Sequence, residues 1–247
     1  MLFSDYKSQA GYRKVALRLA CLAAATIFSL TACSSGRMTR SRAAELIRSG
    51  EAFQKPTSIT LFPQYRQSLT LIGTGSQTTP KEEFALRRFL ESHADLAVLN
   101  HLGLVDFKVI GIEYPDSASS PVVVAATLTD GGRSASGGWQ RSGDGWTIPI
   151  GRRELVEVTG LTGGEGEAKT ARAEYSWRWQ PTETGKYFDT SRREHQSLPE
   201  AVRRNLGGVS MADLMRQLGG VVVFDGGKTQ TASASFRLYD DGWRLEK

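Results

Sequence analysis

The sequence predicts an α+β protein whose body forms two lobes, each an antiparallel meander sheet packed with one or two helices. Three observations carry this. One long stretch, residues 78–103, repeats its apolar side chains at helical spacing. Most of the chain after it alternates apolar and polar residues, the period of a half-buried strand. Short glycine-rich segments join those alternating runs, which favours tight turns between antiparallel neighbours.

Taken in order, a short helix is expected at 41–50. The strongest helix signal follows in "TTPKEEFALRRFLESHADLAVLNHLG". Thr79, Pro80 and Glu82 stand at N-cap, N1 and N3, a capping box with proline in its favoured slot. Phe84, Leu86, Phe89, Leu90, Leu96, Leu99 and Leu102 form its apolar stripe, and Gly103 offers a C-cap. The segments "LVDFKVIGIEYP" and "PVVVAATLTD" are β-rich and bounded by prolines. "ELVEVTGL" leads to the clearest strand, "ARAEYSWRWQ". Ala171, Ala173, Tyr175, Trp177 and Trp179 share one of its faces, with Arg172, Glu174, Ser176, Arg178 and Gln180 on the other. One or two further helices are expected between Leu198 and Leu218, and the chain closes on the strand-like "ASASFRLYDDGWRLE".

An internal repeat runs through this body. Residues 122–148 and 221–245 share a Val-Val-Val, an Asp-Gly-Gly, an aromatic and an Asp-Gly-Trp, and the last part aligns at an offset of 97. That offset sets Trp139 beside Phe236 and Trp146 beside Trp243. A duplicated lobe and the reuse of Asp-Gly turns in two unrelated meanders both account for it. Either reading divides the body into a lobe over 43–150 and a second over 151–247.

The N-terminal region is of a different kind. Lys7, Arg13, Lys14 and Arg18 precede "LACLAAATIFSL", an uncharged stretch from Leu19 to Leu30. Twelve residues at helical rise reach roughly 18 Å, short of the ~30 Å bilayer core. A basic region followed by an apolar segment of this length is the layout of a secretory signal. It ends in Leu30-Thr31-Ala32-Cys33, which resembles the lipobox of bacterial lipoproteins. That resemblance implies removal of residues 1–32 as a signal peptide and a diacylglyceryl thioether on Cys33. It also implies a third acyl chain on the new α-amine and membrane attachment through these chains. A soft sulfur nucleophile suits such chemistry, and small residues before Cys33 admit a peptidase. Ser34, in place of the aspartate that retains such proteins in the inner membrane, implies an outer-membrane address facing the periplasm. Residues 33–42, small, polar and basic, read as a lipidated, flexible tether.

The chain's net charge of +5 is concentrated here. Residues 1–42 hold seven basic side chains against the single Asp5, a surplus of six, so residues 43–247 carry a net −1. A near-neutral body excludes the electrostatic footprint of a nucleic-acid partner. With Cys21 in the leader, only Cys33 remains after processing, which leaves no disulfide and no thiolate metal site.

No catalytic constellation and no cofactor motif emerges. "GGEGEAKT", residues 163–170, comes within one residue of a phosphate loop, but a strand follows where the motif needs a helix, so a hairpin loop is expected. His93, His101 and His195 lack one-face metal spacing and read as helix-surface residues. Tyr175, Trp177 and Trp179 form an aromatic row that reads first as core and second as a platform for sugar rings. The sequence thus points to a non-enzymatic binding or assembly module of the cell envelope, with an envelope protein or glycan as partner. The alternative is an envelope enzyme acting on a cell-wall or lipid substrate with catalytic groups dispersed along the chain.

Overall fold

A computed structural model describes residues 36–71, 81–115, 117–207 and 223–246. The expected leader, Cys33, the Thr79-Pro80 part of the expected capping box and the latter part of the expected 198–218 helices lie outside these residues. Where described, the architecture is α+β, with two antiparallel sheets packed by helices.

The first described feature corrects the expected tether at its C-terminal end. Met38 is only 1% exposed, and its N–H donates to the Gly164 carbonyl at 2.9 Å. Gly164 has φ +74, and a Cβ there would lie 2.4 Å from the Met38 Cβ, so glycine is what lets Met38 seat. Thr39 then caps helix α1 (Arg40–Ser49), its Oγ1 accepting from Arg42 N at 3.1 Å. The surrounding Ser, Gly and Arg residues mask the single apolar side chain that fixes this segment. Helix α2 (Glu51–Gln54) follows directly and buries Phe53.

Strand β1 (Thr57–Leu61) enters the larger sheet, and β2 (Gln64–Thr70) the smaller. The predicted long helix is two helices, α3 (Lys81–Ser92) and α4 (Ala94–His101). They part at His93, whose φ −126 and ψ 71 are not helical. Its backbone N–H, its Nδ1 and the Ser92 Oγ all converge on the Phe89 carbonyl at 2.9–3.1 Å, and Asp95 opens the second helix as a first-turn acid. Strands β3 (Val105–Ile112) and β4 (Ser119–Leu128) form an antiparallel hairpin, and β2 adds to β4 to give the order β2-β4-β3.

Helix α5 (Asp130–Ala135) and a 3-10 turn lead to β5 (Gln140–Ser142) and the 19-residue β6 (Gly145–Gly163). Beyond it come β7 (Thr170–Pro181), a 3-10 turn at Thr184–Phe188, α6 (Arg193–Ser197) and α7 (Glu200–Gly207). Strands β8 (Gln230–Tyr239) and β9 (Gly242–Leu245) complete the meander β6-β7-β8-β9, with β1 on the outer side of β6. The near-miss phosphate loop is the β6–β7 hairpin loop, as the alternation after it requires.

Two cores result, but they are not cut at residue 150/151. That position falls inside β6, and β1 pairs with β6 across it, from Leu61↔Trp146 to Thr57↔Gly151. One core joins α3, α4 and α7 to the smaller sheet and to Ile59, Leu61, Ile148 and Ile150 of the larger one. The second lies under α1 and α2 and gathers Met38, Ile47, Leu155, Tyr175, Trp177 and Phe236. A single strand therefore serves both, because alternation shows which face is buried but not which layer covers it.

The internal repeat has a partial structural counterpart. The offset of 97 superposes the β5–β6 hairpin, with Ser142↔Gly145 and Arg141↔Trp146, on the β8–β9 hairpin, with Tyr239↔Gly242 and Leu238↔Trp243. The Asp-Gly-Gly segments diverge. Residues 130–132 start α5 under the Thr129 cap, whereas 225–227 form a turn in which Asp225 Oδ1 accepts from Gly227 N at 3.0 Å.

Candidate functional site

The aromatic row of β7 faces inward. Ala171, Ala173, Tyr175 and Trp177 are all buried, with Tyr175 8% and Trp177 6% exposed. Phe53 from α2 packs on Tyr175 with ring centroids 5.9 Å apart. The Arg153 guanidinium lies 4.5 Å above the Trp177 ring. Trp179, half-buried, stacks on Phe224 at 5.2 Å and meets Trp177 edge-on at 5.3 Å. The rings are thus held by protein on their faces, which is the geometry of a core. They form no open platform for a sugar.

The histidines are dispersed. His101 is exposed at the end of α4. His195 corrects the surface expectation, since it is buried on the short α6 and its Nδ1 lies 2.8 Å from the Tyr187 carbonyl. His93 sits at the α3–α4 break, 4.4 Å from the Phe89 ring centroid and 5.9 Å from that of Tyr65. Near it, burial pushes the Asp95 carboxyl above its usual range, against the N–H of Leu96 and the charge of His93. Burial likewise pushes the Tyr65 hydroxyl up to about 12, against a hydrogen bond from Phe62 N and with the help of Asp95. Tyr65, His93 and Asp95 bring a titratable group of each kind together, but none lines the cavities described here. No group of three or more His, Cys, Asp or Glu side chains converges as a metal site among the described residues.

Asp189 is the most elaborately held carboxylate. It is fully buried, and Oδ1 accepts from Ser191 N (3.1 Å), Ser191 Oγ (2.7 Å) and Gly226 N (2.8 Å). Arg192 Nε reaches Oδ2 at 3.4 Å. Burial opposes the charge, yet these donors outweigh it and hold the carboxyl below its usual range. A Cβ on Gly226 would come within 2.3 Å of Oδ2, so the turn at 226 is shaped around the carboxylate. The knot ties the segment after β7 to the segment before β8, and its work is structural.

Two of the concave surfaces among the described residues stand out. A cavity of about 460 Å³ with a mostly apolar wall lies between α3, α4 and α7, bounded by Leu86, Leu90, Ala97 and Val202. Another, of about 370 Å³, lies where β1 leaves β6 and is lined by Arg48, Arg152 and Arg153. Sequence reasoning did not single out these arginines. The Arg152-Arg153 pair was visible, but Arg48 lies more than a hundred residues away and only the packing of α1 on β6 brings it there.

Comparison of the chain with known protein families, with curated proteins and with solved structures finds no match.

Proposed function

We propose that this protein is a lipid-anchored component of a bacterial cell envelope, attached through Cys33 and acting by binding rather than by catalysis. The observation that carries the reading is Leu30-Thr31-Ala32-Cys33 at the end of a short apolar segment behind four basic residues. The address is the periplasmic face of the outer membrane, from Ser34 after the cysteine. The burial of Met38 adds a geometric consequence. Five residue steps separate Cys33 from Met38, a span of at most about 17 Å even when fully extended. The body therefore sits against the membrane instead of ranging from it on a long tether. Several acyl chains, at ~0.8 kcal/mol per buried CH₂, make that residence effectively permanent.

Growth with a labelled fatty acid and mass spectrometry of the N-terminal peptide test the anchor. Label is expected on Cys33 with residues 1–32 removed, and Cys33→Ser is expected to accumulate as an unlabelled precursor. Label that persists in Cys33→Ser refutes the attachment. Crosslinking in intact envelopes is expected to capture a protein or glycan partner; turnover of a cell-wall or lipid substrate by the purified chain favours the enzymatic alternative.

A further inference from the structure

The basic cavity beside the β7 aromatics is lined by three arginines, Arg48, Arg152 and Arg153. Arg48 closes α1, while Arg152 and Arg153 lie on β6 just past Gly151, where the pairing with β1 ends. Among the described residues none of the three guanidinium groups has a carboxylate partner. The one carboxylate on the wall, Glu154, is engaged by Arg178 Nε at 2.7 Å. Arg152 Nε donates to Gln180 Oε1 at 2.8 Å on the outer face of the sheet, opposite to the face of Arg153, so Arg152 borders the cavity at the strand edge while Arg48 and Arg153 stand on its inner side. Arg153 is held over Trp177 at 4.5 Å and near Trp179 at 5.8 Å. A guanidinium stacked on an aromatic keeps its in-plane donors for another acceptor. Phe53 and Leu155 give the cavity an apolar wall.

We propose that this cavity is an oxyanion site for the phosphate of a mono- or diester. Two like charges on one side of the concavity, Arg48 and Arg153, raise the local potential, and a bound anion relieves it. Tetrahedral phosphate, with several acceptor oxygens and more than one charge on a monoester, matches two guanidinium groups better than a carboxylate does. The apolar wall accommodates the carbon side of the ester. The phosphate can come from a lipid headgroup or from a soluble ester, and the site stands independently of the Cys33 anchor.

The test is a titration of the full chain, in neutral detergent at low salt, with inorganic phosphate and glycerol phosphate. Tryptophan fluorescence is the readout because Arg153 lies on Trp177. A saturable change is expected, absent with chloride at equal ionic strength. Arg48→Gln and Arg153→Gln should each weaken binding at least tenfold, and Arg152→Gln, on the opposite face, less than either. Arg66→Gln, which removes an arginine paired with Glu113 on the other sheet, should leave it unchanged. Circular dichroism establishes folding; should Arg153→Gln fail to fold, the more exposed Arg48 carries the test. Displacement of phosphate by micelles containing phosphatidylglycerol, but not phosphatidylcholine, assigns a headgroup. Displacement by glycerol phosphate alone assigns a soluble ester. No saturable response, or an affinity in Arg48→Gln equal to that of the wild type, overturns the site, whatever the outcome of labelling at Cys33.

Discussion

Asp189 shows how much one side chain can organise. Its carboxylate satisfies backbone donors from two segments, Ser191 N beside it and Gly226 N, 37 residues from Asp189 and across the fold. Replacing it by alanine leaves those buried donors without an acceptor, at a cost of about 3 kcal/mol. The pH dependence follows from the direction of its shift. A carboxyl held below its usual range in the folded state contributes stability that is fully present above the ordinary carboxylate pKa. That contribution is lost as pH falls through the lower, folded value. Chemical denaturation of wild type and Asp189→Ala is therefore expected to show a constant gap at neutral pH that narrows under acid. A gap independent of pH would mean that the donors do not hold a charge.

Among the elements, the α1–β6 contact decides most about how the chain leaves its folded body. Met38 precedes the helix, sits in the core beneath it and is locked to Gly164 at the hairpin end of β6. Met38→Ala empties a filled site and should cost about 2–3 kcal/mol. It should also raise hydrogen exchange at residues 38–43 far more than in β7. The Arg37–Glu165 pair beside it is exposed on both sides, so Arg37→Ala is expected to change stability little. The contrast separates a segment fixed by burial from one fixed by charge. Equal protection in wild type and Met38→Ala would place the anchor point elsewhere.

The molecule as a whole has two cores joined through one long strand. Ile148 and Ile150 of β6 lie in the core shared with the smaller sheet, and Leu155 lies in the core under α1. Such sharing predicts one cooperative transition. Phe89→Ala, a cavity in the first core, should cost about 3–5 kcal/mol and lower the protection of β7 and β8 amides by a similar amount. Protection in β7 and β8 that survives this change would show that the two cores unfold separately.

Much of this was legible from the residues alone. Alternation assigned the buried face of β7 correctly, from Ala171 to Trp177, because side chains on a strand point to opposite sides whatever packs on them. The α+β class and the hairpin in place of a phosphate loop are equally local patterns. Tertiary structure alone decided the rest. It broke the long helix at His93, buried His195, seated Met38 against a glycine 126 positions away and carried β6 through the expected boundary at 151. It also gathered Arg48 with Arg152 and Arg153 around one cavity. The physical reason is the same in each case. Periodicity records that a side chain is to be buried, whereas its partner is set by contacts between distant residues, and no local pattern encodes those.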